Sequence, residues 1–320
     1  MTTVILNWNG GEDVIGCIEH VIAQSYEPIE VVVIDNASTD NSKEAIRYRF
    51  PDIGLIENRE NVGFASGMNQ GMGLARGEYV LLLNQDAWVR DDFVQSAVRV
   101  MNDVPPNIGM IGARIYKLDG GQKTDRLVSG GLLLRRRFQL VGDPNRCTEH
   151  YTLSPTWCCP FLRKVMLDDI KACSDHYFDD RYFAYGEDLD LALRAQLCGW
   201  RCLFSPDLVA WHSHSGSLGG KVRIWEKPPI FRKHTLRNRY STIIKDLPFQ
   251  LIMYLAPFIA LTEIAIWPFF LFKSPSTIPC LIQAYAETVQ ALPETLRLRR
   301  KVQASRQVSA RYLQQFFLGF

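Results

Sequence analysis

Short apolar runs alternating with amphipathic stretches constrain the first hundred residues more than any other feature. Val4-Ile5-Leu6 and Val31-Val32-Val33-Ile34 are β-branched strand signals, and between them Val14, Ile18, Val21 and Ile22 recur at helical spacing within Asp13 to Gln24. A polar, cap-rich turn, Asp35-Asn36-Ala37-Ser38-Thr39-Asp40-Asn41-Ser42, leads into a helix through Arg49 and a strand at Ile53 to Ile56. The pattern continues with a helix over Ser66 to Ala75 and a buried strand at Tyr79-Val80-Leu81-Leu82-Leu83. Strand, crossover and strand in repetition predict an α/β fold, Rossmann-like, with a mainly parallel sheet flanked by helices. Ligands of such sheets bind beyond the carboxyl ends of the strands. Asn7, Asp35 and Asn84-Gln85-Asp86 all fall at those ends.

With 320 residues, 47% of them hydrophobic, the chain can bury a substantial core. A net charge of +2 gives no global reason to expect nucleic acid as a partner. Eight cysteines without repeated C-x-x-C spacing, two of them adjacent at Cys158-Cys159, suit neither a zinc ribbon nor a disulfide framework and point to a reducing, cytoplasmic setting. The start at Thr2-Thr3-Val4 carries no secretion-type leader pattern, so secretion is not expected.

From Gly109 to Cys147 the pattern turns irregular, with Gly120-Gly121, Gly130-Gly131 and the basic run Arg135-Arg136-Arg137, which predicts strands and loops across one end of the sheet where an acceptor is selected. A new section begins near Asp246. Phe249 to Phe272 is apolar and aromatic, but Pro257, Glu263 and Pro268 interrupt it, so a pair of short interfacial helices is expected there in preference to a straight span or a docked hairpin. Trp267, Phe269, Phe270 and Phe272 suit the headgroup boundary, and Arg297, Arg299, Arg300 and Lys301 are candidates to meet anionic lipid.

Chemistry concentrates in Tyr182-Phe183-Ala184-Tyr185-Gly186-Glu187-Asp188-Leu189-Asp190, where an aromatic turn runs into three carboxylates at a helix start. A dry wall beside a carboxylate raises its pKa toward the range of a general base. Asp35 is placed to accept from a heterocycle or ribose, or else to shape its own turn. Small residues in Asn61-Val62-Gly63-Phe64-Ala65-Ser66-Gly67 permit either a phosphate at a helix N-terminus or close helix packing. Asp86, held at the sheet's edge, is a candidate hard-cation ligand, and Trp211-His212-Ser213-His214-Ser215 offers His212 and His214 as its second ligand.

The order of Asn7-Trp8-Asn9-Gly10, Asp35-Asn36-Ala37-Ser38-Thr39-Asp40, Asn61-Val62-Gly63-Phe64-Ala65, Asn84-Gln85-Asp86, Tyr185-Gly186-Glu187-Asp188-Leu189-Asp190 and the His212 loop resembles the family 2 glycosyltransferases of the GT-A fold, in particular their bacterial rhamnosyltransferase-like branch. The resemblance runs from Thr3 to about Ser217 and more loosely through Leu236-Arg237-Asn238-Arg239 to the end. It implies a catalytic domain over 1–245 and a helical, membrane-associated region over 246–320. It implies donor contacts from Asn7, Asn9, Asp35, Asn36, Asn61, Gly63, Asn69, Asn84 and Gln85, with Asp35 reading the base. Asp86 corresponds to the metal-binding end of a D-x-D-like triplet for Mg²⁺ or Mn²⁺, His212 to a metal-proximal histidine with His214 as its rival, and Asp188 to the catalytic base. Glu187 would orient the acceptor or the Asp188 loop, and Trp157, Tyr185 and Asp190 would lie on the acceptor side, Asp190 also bracing its helix.

Asn84 stands where a strict triplet has Asp, and Pro160 stands where a small flexible residue is expected. The implied partners are a nucleotide-diphosphate sugar, dTDP-linked or alternatively UDP- or GDP-linked, and a polyprenyl-linked or glycan acceptor. The implied place is the inner face of the cell membrane, held peripherally, in O-antigen or other envelope glycan synthesis. A nucleotidyltransferase would want a Lys-bearing phosphate loop, which Asn7-Trp8-Asn9-Gly10-Gly11 lacks, and a dinucleotide oxidoreductase would want G-x-G-x-x-G after the first strand, which is absent. A silent sugar-binding protein is the remaining alternative.

Overall fold

The structure, a computed structural model, describes residues 1–143, 145, 147–213 and 228–319. The first half follows the alternation of the sequence: β1 (Thr2–Asn7), α1 (Gly11–Ile22), β2 (Glu30–Asp35), α2 (Ser42–Arg49), β3 (Gly54–Glu57), α3 (Gly63–Leu74) and β4 (Tyr79–Asn84). These strands pair in parallel in the order β4-β1-β2-β3. β1 is buried along its whole length because both its faces are covered. Ile5 packs with α1, α2 and α4 (Phe93–Asp103), whereas Val4 and Leu6 pack with α3 and with α5 (Lys164–Ser174) on the other side. Successive side chains of a strand point to opposite faces. A run of consecutive apolar residues is therefore what a two-faced sheet requires.

Beyond β4 the sheet becomes mixed. β5 (Ala87–Val89), β6 (Ile108–Asp119), β7 (Gln122–Ser129), β10 (His150–Thr152), β11 (Phe161–Arg163) and β12 (Arg201–His212) complete it, with β11 antiparallel to β4 and β12 parallel to β6. The segment expected to lie across one end thus contributes β6, a twelve-residue strand in the body of the sheet. Only its later part forms a separate small sheet, from β8 (Leu132–Arg135) and β9 (Gln139–Gly142).

Helix α6 (Glu187–Leu197) has apolar residues on two sides. Leu191, Ala192 and Ala195 face the sheet-side core, while Leu189, Leu193 and Leu197 face a further core built with Ile243, Leu247, Leu251, Leu255, Val302 and Phe316. That outer core is supplied by α7 (Pro229–Asp246), α8 (Phe249–Lys273), α10 (Leu292–Ala304) and α11 (Ala310–Gln314), with α9 (Ile278–Gln290) packed on α7. The chain ends in β13 (Phe317–Leu318), which pairs in parallel with β8. Residues 246–319 are therefore wrapped back onto the rest of the described chain.

The expected pair of short helices over 249–272 is instead one helix, α8. Pro257 and Pro268 each remove one backbone hydrogen bond, to the carbonyls four residues earlier. Those are Met253 and Ile264, 57% and 70% exposed, so the prolines sit on the outward face and the buried contacts of Leu251, Leu255 and Phe270 stay intact. α8 is long and apolar enough to cross a membrane by length and composition, and most of its apolar surface is outside the protein core. Three of the four basic residues expected to meet lipid have partners within the chain, while Arg300 is exposed. Arg297 and Lys301 both pair with Asp175, at 3.3 and 2.6 Å, and Arg299 donates to the carbonyls of Ile244 and Leu247 at 2.5 and 2.8 Å.

Candidate active site

The carboxyl ends of β1, β2 and β4 are knitted together by short polar side chains. Asn7 Nδ2 donates to Asp35 Oδ1 at 2.8 Å, to Ser38 Oγ at 3.1 Å and to Ser42 Oγ at 2.9 Å. Asp35 Oδ2 accepts from the Ser38 N–H, and Asp35 is fully buried. Asn9 accepts from the Thr39 N–H at 2.7 Å, and Gln85 accepts from the Trp8 N–H at 2.7 Å while its own amide donates to the Trp8 carbonyl. Trp8 is half exposed above this lattice. Asn36, also buried, donates to Asn61 Oδ1 and to the Gly63 carbonyl and accepts from the Val62 N–H. These residues form a rigid floor.

The start of α3 is closed rather than open to a phosphate. Gly63 adopts φ +86°, and a Cβ there would lie 2.6 Å from the Phe183 carbonyl oxygen, which accepts from the Ala65 N–H at 3.1 Å. Asn69 bonds the Phe178 backbone in both directions and donates to Asp180 at 2.7 Å. The small residues thus serve close packing, and they dock the turn that leads to the acidic cluster.

Asp86 lies in the two-residue turn between β4 and β5, and β12 returns antiparallel to β5 so that His212 lies opposite Ala87. His212 Nε2 sits 2.9 Å from Asp86 Oδ1, and Ser213 Oγ donates to Asp86 Oδ2 at 3.1 Å. Burial opposes a charge on His212, but the neighbouring Cys158 and the bonded Asp86 carboxylate lift its pKa to about 9. Next to this pair, Asn84 Oδ1 is buried without a hydrogen-bond partner. A carboxylate, an imidazole and a buried amide oxygen are a donor set that fits Mg²⁺ or Mn²⁺, with waters or a substrate completing the shell. Binding would displace the His212 proton. His214 lies outside the described residues.

The acidic cluster divides sharply by environment. Asp190 is fully buried, ion-paired with Arg194 and Lys245. Burial opposes its charge, but Arg194 and Lys245 more than offset that and hold it at about 2. It therefore braces α6 and has no surface to present to an acceptor, which corrects its acceptor-side placement. Trp157 is corrected likewise: it is buried against Phe178, with Nε1 donating to Ser154 Oγ at 2.7 Å. Glu187 is buried with Oε2 unpartnered, and burial together with Asp188 pushes its carboxyl well above the usual range. Asp188 is only half-buried. Its pKa is raised by burial and by Asp190, against the hydrogen bond it accepts from the Leu189 N–H at 2.7 Å. Among these carboxylates Asp188 alone combines partial exposure with a raised pKa, which is what a general base needs.

What presents Asp188 is a turn that depends on α7. Phe183, Tyr185 and Gly186 have φ of +60°, +70° and +90°, a conformation that costs energy for the two aromatic residues. Asn238 of α7 compensates: its Nδ2 lies 2.9, 3.1 and 2.6 Å from the carbonyl oxygens of Tyr182, Ala184 and Tyr185. Arg237 donates to the Arg181 carbonyl, His234 stacks on Phe183, and Phe231 meets Tyr185 edge-on. Tyr185 is thus half-buried beside Glu187, and burial with that neighbour raises its pKa. The sequence signal that could have found Asn238 is its place among arginines in Leu236-Arg237-Asn238-Arg239; nothing local to it betrays the partner 53 to 56 residues away.

Solved structures share the fold. TarS 1-349 of S. aureus, crystallised in complex with UDP-GlcNAc, matches 98% of this chain and 90% of its own with a TM-score of 0.57 and 15% identity. The mannosyltransferase PcManGT of Pyrobaculum calidifontis, in complex with GDP-Man and Mn²⁺, matches 95% of this chain and 85% of its own at a TM-score of 0.56 and 18% identity. Curated relatives include the uncharacterized glycosyltransferase YibD of Escherichia coli, 24% identical over 74% of this chain and 68% of its own, and the succinoglycan biosynthesis protein ExoO of Rhizobium meliloti, 25% identical over 70% and 64%. A poly-beta-1,6-N-acetyl-D-glucosamine synthase of Staphylococcus aureus is 24% identical over 79% of this chain and 60% of its own. The chain spans between 33% and 68% of the length of the curated relatives it matches. Its architecture is that of the GT-A fold, and the family model of glycosyl transferase family 2 matches residues 2–169, more than half of the sequence, so the chain belongs to glycosyl transferase family 2.

Proposed function

We propose that this chain is an inverting, metal-dependent glycosyltransferase that moves a sugar from a nucleotide-diphosphate donor to a hydroxyl of a lipid-linked or polysaccharide acceptor in cell-envelope glycan synthesis. The observation that carries the proposal is Asp188, half-buried and raised in pKa at the end of a clamped turn. Asp188 takes the acceptor's proton while the acceptor oxygen attacks the anomeric carbon from the face opposite the diphosphate, which inverts the configuration. Burial and the adjacent Asp188 push the Glu187 carboxyl well above the usual range, which disfavours a second negative charge beside Asp188. Asp86 and His212 would hold the metal, which when bound supplies a Lewis acid for the charge developing on the diphosphate. Asp35, Asn36, Asn7 and Asn9 fix the loops that line the donor side.

The motif order favours dTDP-rhamnose as donor. UDP- and GDP-sugars, found with the structural neighbours, are the alternatives that the experiment must separate. The apolar face of α8 supports peripheral attachment to the inner face of the membrane, and eight free cysteines support a reducing compartment. The test is a thermal-shift screen of dTDP-, UDP- and GDP-sugars with Mn²⁺, followed by turnover with the donor that binds. A donor at 100 times its Kd stabilises the fold by about 2.7 kcal/mol. Asp188→Asn should then lower turnover by about 10²- to 10⁴-fold with donor binding retained. A flat screen, or an Asp188→Asn enzyme within about tenfold of wild type, would sink the proposal.

A further inference from the structure

Nothing intrinsic to an aspartate fixes the turn of its carboxylate: the terminal torsion is broad and roughly two-fold, so either oxygen of Asp86 can face a cation. The structure removes that freedom from both sides. Oδ1 faces His212 Nε2 at 2.9 Å, and Oδ2 accepts from Ser213 Oγ at 3.1 Å. Strand register delivers Ser213 to this position. β12 pairs antiparallel with β5 as Ala210 with Val89, Trp211 with Trp88 and His212 with Ala87, which puts Ser213 opposite Asp86, and the Ser213 N–H donates to the Asp86 carbonyl at 3.1 Å. Backbone and hydroxyl of one residue thus hold both ends of Asp86. Asn84, the third member of the donor set, is held through its backbone: its N–H donates to the Cys158 carbonyl at 3.0 Å, and its own carbonyl accepts from Cys17 Sγ at 3.4 Å. Its Oδ1 has no partner and is available to a cation. Asp86 is 3% exposed, so little solvent reaches Oδ2 to replace the hydroxyl if it is removed.

We propose that Ser213 is a positioning residue for the metal site: its hydroxyl holds Asp86 Oδ2, leaving Asp86 Oδ1, His212 Nε2 and Asn84 Oδ1 as the atoms that a divalent cation meets. The proposal rests on the metal-dependent reading above and adds the side chain that gives Asp86 its aim. A ligating carboxylate whose second oxygen is already hydrogen-bonded has less freedom to lose on binding, and removing such an outer partner costs about 10- to 100-fold in metal affinity. In this role Ser213 acts through Asp86 and not on the donor, so its loss should show at low metal and disappear when Mn²⁺ saturates.

The experiment is titration of the full chain with Mn²⁺ alone, read by electron paramagnetic resonance of the free and bound ion, on wild type, Asp86→Ala, Ser213→Ala and Ser213→Thr. Wild type should take up Mn²⁺ and Asp86→Ala should lose it, which assigns the bound ion to this site. Ser213→Ala should raise the Kd about 10- to 100-fold, while Ser213→Thr, which keeps the hydroxyl, should stay close to wild type. Melting curves without metal check that the fold survives in each variant. The ion bound by Ser213→Ala should keep the nitrogen coupling of His212 and gain no water, and turnover of this variant should recover on excess Mn²⁺. If wild type binds no Mn²⁺, the metal-dependent reading fails and takes this inference with it. If wild type binds and Ser213→Ala binds equally well, the metal reading stands and the inference alone is overturned. Equal loss in both Ser213 variants would tie the effect to the loop instead of the hydroxyl, and an extra water on the ion in Ser213→Ala would make Ser213 itself a ligand; either result overturns the positioning role.

Discussion

Replacing Asn238 by Ala should separate the turn before Asp188 from the helix that holds it. Asn238 is 1% exposed, and its single amide nitrogen serves the carbonyl oxygens of Tyr182, Ala184 and Tyr185. An amide has two hydrogens, so about two full hydrogen bonds are lost; the Tyr182 carbonyl keeps the Ala184 N–H, while the part-buried Ala184 and Tyr185 carbonyls lose the amide. A buried polar group left unsatisfied costs about 1–3 kcal/mol, which puts Asn238→Ala at about 2–6 kcal/mol for two bonds, toward the low end if water enters. That is a large part of the 5–15 kcal/mol by which domains are typically stable. The strained φ values at Phe183 and Tyr185 then have less to hold them, and Asp188 loses its fixed position. Urea unfolding followed by circular dichroism reads the stability, and turnover at saturating donor reads the positioning. Turnover should fall while donor affinity, set by the β1, β2 and β4 ends, changes little. Asn238→Asp keeps the shape but faces a carboxyl toward three acceptors. Its folded-state pKa must rise, so the stability it retains is present below the unfolded value and is lost as pH rises through the folded one. A stability loss under about 0.5 kcal/mol, the range of ordinary surface substitutions, together with unchanged turnover would refute the clamp.

Two further outcomes follow from the charged groups. Disturbing even an outer partner of a metal ligand costs about 10- to 100-fold in metal affinity, so Asp86→Ala should weaken Mn²⁺-dependent donor binding by at least that much, and chelation of the wild type should do the same; equal calorimetric affinity with and without chelator would remove Asp86 from this role. His176 is held at about 4 by burial and by the nearby Arg194, below its ordinary value of 6.5. It is neutral in the fold while the unfolded chain takes up a proton below about 6.5, so it drains roughly 3 kcal/mol of stability as pH falls from 6.5 to 4. His176→Gln should remove that part of the slope, with His234, also held at about 4, retaining a share; an unchanged slope would contradict the assignment.

The parallel half of the fold was legible because each of its signals is local. Val4-Ile5-Leu6 reads as a strand whatever lies elsewhere, and Ile5 facing one core while Val4 and Leu6 face another is what a continuous apolar run implies. The Asp86 and His212 pair was legible only in part: the sequence puts Asp86 after a strand, but the long return of β12 that brings His212 opposite Ala87 is a matter of tertiary register. Trp157 and Asp190 misled for a common reason. A residue type suited to sugars or protons does not disclose its burial, and both are interior. Pro257 and Pro268 predicted a broken helix because the rule counts the lost hydrogen bond, whereas the structure places both losses on an outward face where no packing depends on them.

α7 joins observations that otherwise look separate. Its Asn238 holds the Asp188 turn, and its Lys245 is buried between Asp179 and Asp190, bonding Asp179 at 2.7 Å. Asp246, the last residue of the helix, is buried next to the same group, its carboxyl pushed well above the usual range by burial and by Asp190. Three residues later α8 begins, and α10 returns to cap the end of α7 through Arg299 and Gln303, which donate to the carbonyls of Ile244, Leu247 and Asp246. A cut at residue 245 would therefore leave Lys245, the ion-pair partner of Asp190, as a raw chain end and strip the caps from the helix that positions Asp188. Removing one partner from a buried ion network is costly because the remaining charges stay desolvated. The C-terminal helices are thus part of what holds Asp188 in place, through the α7 end that they cap and the Asn238 turn that α7 carries.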